Sequence, residues 1–383
     1  MKILHICQYF QENMGYQENI LPVAQKEIGN EVYIITSNRE CELFINREQR
    51  IKEIGSKDYN GVTLIRSDIY FEAKNRFVVF KDLYGLIKKI NPDYIYHHNL
   101  TSPSLFTVIK YKKNNPNIIL VCDSHAMYEN TMRTTKSFFY HKIIWKNIIK
   151  SKIKFIDKIF YVAPECMDFI REVYKIPKNK LKFLPLGGDI SNIDNYGYIR
   201  KKYRNKFNIK KSELLIIHAG KITPLKKTEV LLNSFKFVNE KDIKLIIIGC
   251  IENRYEKILT KYINNDNRIT YLGWKNAEEL SKIFCAGDIL IQPGSASSIF
   301  EQAICDGLPI VLSKGKLGLY LTSKGNGIVL QEVNEKEISK LIIDLNQNRE
   351  FLNKMHKNAI NFAQEELSYR AIAKKSIIFN KKY

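Results

Sequence analysis

The sequence predicts an α/β protein made of two successive doubly wound domains, and three observations carry that prediction. Short, continuous, β-branched apolar runs alternate with helix-length segments, which is how buried parallel strands with crossover helices read. The rhythm breaks once, at a polar stretch from Gly188 to Ser212, and then restarts. Finally, 383 residues with 45% apolar content suit two or three domains with sizeable cores.

In the first half the expected strands are Lys2 to Cys7, Glu31 to Ser37, Val62 to Ser67, Tyr94 to Asn99, Ile118 to His125, Lys158 to Ala163 and Lys180 to Gly187. In the second they are Leu214 to Gly220, Lys244 to Gly249, Ile269 to Trp274, Ile289 to Pro293, Pro309 to Ser313 and Gly327 to Leu330. Beyond about Glu335, Ile338, Leu341, Ile342, Leu345, Leu352, Met355, Ala359 and Phe362 recur at helical spacing. The expected organisation is a first domain at 1–190, a linker at 191–212, a second domain at 213–365 and a C-terminal helix at 366–383 that returns to the first domain. Ligands of open α/β sheets sit beyond the carboxyl ends of strands, so two such domains facing each other would share one cleft.

A net charge of +21 raises the question of a polyanionic partner. Only 13 of the 61 basic residues are arginine and no recognition-helix signature occurs, so nucleic acid is not expected. The seven cysteines are odd in number, widely spaced and lack a C-x-x-C pair, which argues against a disulfide framework or zinc site and for a cytoplasmic location. The N-terminal apolar run is too short for a signal peptide, and none approaches the roughly 18 residues of a membrane span. Membrane contact, if made, is peripheral.

Two strand-end loops could carry chemistry. Gly220-Lys221-Ile222-Thr223-Pro224-Leu225-Lys226-Lys227 joins a strand to an amphipathic helix, where backbone N–H groups and the Lys221 and Lys226 charges could meet a diphosphate. The same spacing also suits solvated lysines at a helix start. In the second loop, Gln292-Pro293-Gly294-Ser295-Ala296-Ser297-Ser298 leads into a helix carrying Glu301, with hydroxyl residues placed as N-caps of an anion site. Glu301 could accept from a vicinal diol such as a ribose, or could simply favour the helix dipole.

These residues resemble a known pattern. Gly220-Lys221 with Lys226, and Glu301-Gln302-Ala303 leading into Gly307-Leu308-Pro309-Ile310-Val311, resemble the C-terminal domain of the retaining group 1, or family 4, glycosyltransferases, whose GT-B fold sets two Rossmann-like domains across a cleft. Leu184-Pro185-Leu186-Gly187-Gly188, Tyr271-Leu272-Gly273-Trp274 and Ala286-Gly287-Asp288 extend the match in the same order. The resemblance implies that Lys221 and Lys226 clamp a donor diphosphate at Gly220, that Glu301 holds the ribose, and that the base lies against Leu272 to Trp274. It places His125 near the transferred sugar and an acceptor loop at Glu12 to Asn19, with Gly15, Tyr16 and Gln17 as its contacts. The implied partners are a nucleotide sugar and a glycan or lipid-linked acceptor, with no cofactor beyond the donor.

The departures matter. The family carries a second glutamate before Glu301, but no acid occurs from Ile289 to Phe300, leaving Gly294, Ser295, Ser297 and Ser298 to contact the sugar. Lys227 stands for a usual glycine. No D-x-D pair is present, so lysines and helix N-termini are expected to neutralise the leaving diphosphate without metal. The resulting expectation is a hexosyltransferase of surface polysaccharide or glycolipid synthesis; a non-catalytic partner subunit and a GT-B nucleotide-sugar epimerase are the alternatives. Residues 138–158 repeat lysine every four positions opposite Ile144, Trp145, Ile148, Ile149 and Ile153, which fits either an anionic membrane at the cytoplasmic face or a domain helix with solvated lysines.

Overall fold

The fold is that of a computed structural model describing residues 1–12, 14–41, 49–73, 77–132 and 134–379. It divides into two units: Met1–Pro185 together with the C-terminal stretch from Ile372, and Leu186–Ala371.

The first unit holds β1 (Lys2–Ile6), β2 (Glu31–Ser37), β3 (Gly55–Tyr59), β4 (Val62–Ser67), β5 (Ile69–Ala73), β6 (Phe77–Phe80), β7 (Tyr94–His97), β8 (Ile119–Ser124), β9 (Lys158–Tyr161) and β10 (Leu181–Phe183). Eight of them form one sheet in the order β10-β9-β8-β7-β1-β2-β4-β3. All neighbours are parallel except the edge pair β3 and β4. The sequence reading missed β3, because Gly-Ser-Lys-Asp-Tyr is an exposed edge strand without an apolar run. It also missed β5 and β6, a short antiparallel pair outside the main sheet, in which β5 has no buried residue and only Val78 and Phe80 of β6 enter the core.

The second unit holds β11 (Leu214–Ala219), β12 (Ile243–Ile248), β13 (Ile269–Tyr271), β14 (Ile289–Gln292), β15 (Ile310–Ser313) and β16 (Gly327–Leu330), all parallel in the order β13-β12-β11-β14-β15-β16. Side chains alternate across the sheet: Leu214, Ile216, Leu245 and Ile291 enter one core, while Leu215, Ile217, Ile246 and Leu290 enter the other. Burial on both faces explains why these strands read as unbroken apolar runs. In each sheet the strand order reverses beside the first strand, between β1 and β7 and between β11 and β14. Such reversals leave a crevice at the strands' carboxyl ends, where ligands of this architecture bind.

Residues 191–212, expected as a linker, contain the helix Tyr196–Lys206, which belongs to the second unit. Its Arg200 and Arg204 both reach Asp288, and Arg204 also donates to the Glu213 and Lys210 carbonyls. The charged stretch is therefore an ion-paired helix, and the second unit begins earlier than the composition suggests. At the other end, the chain returns to the first unit: Gln25 Nε2 donates to Ser376 Oγ at 2.8 Å, and the Tyr94 hydroxyl to the Ser376 carbonyl at 2.7 Å. Residues 380–383 of the expected terminal helix lie outside the described residues.

Candidate functional site

The two strand-end loops of the second unit meet. After β11, Gly220 takes φ +118°, and the backbone of Gly249 approaches its carbonyl too closely for any side chain at 249. The loop continues through a single turn, Pro224–Lys226, to Lys227 at φ +52°, and the helix Thr228–Ser234 follows. Lys227 thus occupies, as a lysine, the left-handed position that usually favours glycine. After β14, Gly294 packs against this turn, and a Cβ there would collide with the Leu225 carbonyl and the Lys226 backbone. Ser295 N donates to the Leu225 carbonyl at 2.8 Å.

Lys226 is buried in this junction, and its Nζ donates to the carbonyls of Ser295 and Ala296, each at 2.8 Å. Desolvation lowers its pKa to about 8. Its ammonium therefore shapes the Gly294–Ser298 turn and keeps donor capacity at the same place. Lys221, its expected partner, is solvent-exposed. The hydroxyl caps expected at the next helix, Ile299–Cys305, are not made: Ser298 has helical dihedrals and forms no side-chain cap. The turn closes instead through Phe300 N to the Ser297 carbonyl at 3.3 Å.

Glu301 lies in the first turn of that helix, 2% exposed, and its Oε2 has no hydrogen-bond partner. Burial raises its pKa to about 8. A carboxyl so placed costs free energy unless a ligand supplies donors. Gln292, which the sequence reading passed over, ends β14 fully buried with both amide atoms unpartnered. The available signal was a single polar residue closing an otherwise aliphatic strand. Close by in sequence, Asp306 is satisfied by Ser281 Oγ at 2.5 Å, Gln302 Nε2 at 2.9 Å and Asn192 Nδ2 at 3.0 Å. Gln302 also clasps the backbone N–H and carbonyl of Asp189. These residues tie the unit's entry segment to the helix behind Glu301.

Leu272 is partly buried, with its N–H on the Ile247 carbonyl at 2.9 Å, whereas Trp274 is 67% exposed beyond Gly273 at φ +68°. His218, buried in β11, bridges the Ile291 carbonyl and the Thr228 hydroxyl at 2.9 and 2.8 Å, fixing the loop's start to the neighbouring strand.

In the first unit the structure brings two expected residues together: His125 Nε2 stands 3.0 Å from Gln17 Oε1. His125 is otherwise open to solvent. Gln17 opens the helix Gln17–Glu27, so only the first part of the expected loop Glu12 to Asn19 is a loop, and Asn13 lies outside the described residues. Gly15 and Tyr16 precede the helix and are exposed. Behind His125 lies a buried polar chain absent from the sequence reading. His98 Nδ1 is 2.8 Å from Asp123 Oδ2, His5 Nδ1 is 3.0 Å from His98 Nε2, and His5 Nε2 is 2.7 Å from Gln25 Oε1. His97 turns away to Ser104 Oγ at 2.8 Å, as alternation along a strand requires.

Across the segment 138–158 the apolar arc is mostly absorbed by the core. Trp145, Ile149 and Ile156 are buried, and Ile148, Ile153 and Phe155 pack on them. The tryptophan is thus an interior side chain. Among the described residues no three His, Cys, Asp or Glu are grouped to hold a metal ion, and no helix is long and apolar enough to cross a membrane.

Comparison with known proteins gives a consistent result. Residues 199–362 match the family described as Glycosyl transferases group 1, and residues 24–192 match Glycosyltransferase Family 4. An uncharacterized glycosyltransferase of Methanocaldococcus jannaschii is 27% identical over 281 residues, covering 70% of this chain and 69% of that protein. Among solved structures, Anabaena Alr3699/HepE in complex with UDP aligns with a TM-score of 0.69 at 15% identity, over 98% of each chain, and the same protein is solved with UDP-glucose. WaaG, a glycosyltransferase involved in lipopolysaccharide biosynthesis, aligns with a TM-score of 0.62 at 13% identity, again over 98% of each chain.

Proposed function

Because the chain belongs to the group 1 glycosyltransferases and folds in the two Rossmann-like halves of their GT-B class, we propose that it moves a hexosyl unit, with retention and without a divalent metal, from a nucleotide sugar to a glycan or lipid-linked acceptor of surface polysaccharide or glycolipid synthesis. The observation that carries this reading is the unpartnered Oε2 of the Glu301 carboxyl, on the helix that follows a turn Lys226 holds in place. A ribose offers Glu301 two hydroxyl donors, and a diphosphate offers Lys226 and Lys221 an anion. Gln292 can then satisfy its amide on the same ligand, and Trp274 and Leu272 offer a flank for the base.

The lysines and the Gly294–Ser298 backbone stabilise charge as it develops on the leaving diphosphate, whose oxygen takes the acceptor proton. No protein nucleophile is assigned. The first half is assigned the acceptor, with His125 and Gln17 as polar contacts and Gly15 and Tyr16 beside them. Since Alr3699/HepE was solved with UDP and UDP-glucose, uridine diphosphate sugars are the donors to try first. The enzyme is placed at the cytoplasmic face of a membrane, where lipid-linked acceptors are presented.

Screening nucleotide sugars for thermal stabilisation tests this reading, because a ligand bound only by the native state raises apparent stability. At least one should stabilise the protein and then support transfer in excess chelator. A protein that no nucleotide stabilises contradicts the assignment of Glu301 and Lys226. The absence of an acid from Ile289 to Phe300 favours a second reading, a non-catalytic partner subunit. Donor binding with neither transfer nor slow donor hydrolysis would select it.

A further inference from the structure

We infer that the segment from Thr135 to Phe155 of the first unit docks on an anionic phospholipid bilayer, with a lipid headgroup phosphate seated in a cavity beside it. The segment is a helix Thr135–Phe139, a π-turn Tyr140–Trp145 and a second helix Lys146–Lys152. A π-turn advances the helical phase by a residue, so side chains before and after it need not share one face. Here Trp145 and Ile149 turn into the core, while Phe138, Phe139, Ile143 and Ile144 remain 41, 59, 50 and 51% exposed. Four large apolar side chains grouped on one short segment exceed the scattered exposure normal for a soluble surface.

The segment's own charge has one sign. No Asp or Glu occurs between Glu129 and Asp157, whereas Lys136, Lys142, Lys146, Lys150, Lys152 and Lys154 do. Beside the first helix a cavity of about 310 Å³ is lined by Lys142, Lys146 and Lys175 together with Met132, Phe138 and Val173. Glu172 also lines it, and accepts the Tyr128 hydroxyl at 2.6 Å. Among the described residues none of the three lysines is ion-paired, and Lys142 lies 4.5 Å from the centre of the Phe138 ring. Three lysines without an ion-pair partner, beside Met132, Phe138 and Val173, match a phosphate with acyl chains attached. The neighbouring phenylalanines and isoleucines are placed to enter the interface. An RNA or an acidic protein would use the lysines but leave Phe139, Ile143 and Ile144 in water. The inference rests on the proposed function for its purpose, delivery to a lipid-linked acceptor, and on the surface alone for its chemistry.

Sedimentation of the full chain with vesicles tests it. Vesicles of equimolar phosphatidylcholine and phosphatidylglycerol should carry the protein down, and phosphatidylcholine alone should not. Ile143→Ser with Ile144→Ser, and separately Lys142→Glu with Lys146→Glu, should each weaken anionic-vesicle binding by about tenfold or more. Lys175→Asn should also weaken it; Lys175 has φ +56°, which asparagine tolerates. Lys201→Glu with Lys202→Glu, on the second unit, should leave it unchanged. Nucleotide binding by the same preparations shows that each variant is folded, so failure of the surface and failure of the donor assignment read out separately. Equal losses in the Lys201/Lys202 control, full binding by the Ile143/Ile144 variant, or capture by heparin in place of vesicles would each overturn the proposal.

Discussion

His98 Nδ1 donates to Asp123 Oδ2 across 2.8 Å, while the other carboxylate oxygen accepts the Asn99 N–H at 2.7 Å. Burial by itself would raise the Asp123 pKa, but the His98 imidazole, its hydrogen bond and nearby His125 bring it down to about 2. His125 Nε2 is 4.0 Å from the same oxygen. The carboxylate therefore anchors a buried chain through His98 and His5 and presents a negative charge beneath the one exposed histidine of this group.

Replacing Asp123 with asparagine should destabilise the protein by about 1.5–3 kcal/mol, because the buried His98 and Asn99 N–H donors lose their charged acceptor. The sign of the pH dependence follows from the depressed pKa. Stability from this group is present above the ordinary value of 3.8 and is lost as pH falls through about 2. Urea unfolding of parent and variant between pH 7 and pH 2 checks it, and the difference between them should shrink toward the acid end. A constant difference would mean that packing, not ionisation, carries the effect.

Lys226→Met keeps the apolar stem but removes two charge-assisted bonds to the Ser295 and Ala296 carbonyls. Each is worth roughly 1.5–3 kcal/mol, so loss of thermal stability should accompany loss of donor binding. Lys221→Met, at an exposed position, should weaken nucleotide binding while leaving the melting temperature within a degree or two of the parent, about the shift expected of a surface substitution. Identical behaviour of the two variants would show that Lys226 acts only as a second solvent-facing charge.

The parallel strands of both sheets were legible because burial on both faces writes itself as continuous aliphatic sequence, as at 214–217 in β11. Glu301 and Lys226 were legible as positions, but their environment was not. That Lys226 reaches backbone carbonyls some seventy positions on, at Ser295 and Ala296, is set by how two loops pack. The partners of Gln292, His5 and His98 were illegible for the same reason: a polar residue in or just past an apolar strand gives no sign of which distant group meets it. Ile144 was read on the same apolar arc as Trp145 and Ile149 yet is 51% exposed, because a periodicity of 100° per residue does not survive the π-turn at Tyr140–Trp145.

Glu301→Gln should remove part of the pH dependence of stability. In the parent, burial holds the carboxyl at about 8 against an ordinary 4.5, so the folded state retains a proton the unfolded chain releases. This group's stabilising contribution is full below about pH 4.5 and is lost as pH rises through about 8. The glutamine variant lacks that loss, and should be less affected than the parent by raising the pH across this window. On the proposed role of Glu301 it should also bind nucleotide more weakly, having lost one of the acceptors assigned to the ribose. Melting curves across the window, with and without nucleotide, check both statements; parallel pH profiles would place Glu301 in water.

Gly294→Ala is the sharpest test of the junction between the two loops. A glycine is required in such a turn either for its small size or for a positive φ; here the first reason holds, since Gly294 is not among the positive-φ glycines. An alanine Cβ would meet the Leu225 carbonyl and the Lys226 backbone, neither of which can swing aside as a flexible side chain could. The two loops must separate, which breaks the Ser295 N–H bond to Leu225 and pulls the Ser295 and Ala296 carbonyls from Lys226. Destabilisation by about 1–3 kcal/mol is expected, the usual range for overpacking, together with loss of nucleotide binding rather than of the sugar alone. Gly197→Ala supplies the control. It lies in the helix Tyr196–Lys206 with nothing within 4 Å of the added methyl, and should stabilise by up to about 1 kcal/mol. If the two alanine variants melt and bind alike, the loops are not locked together at Gly294, and the turn that Lys226 is assigned to hold must be free to move.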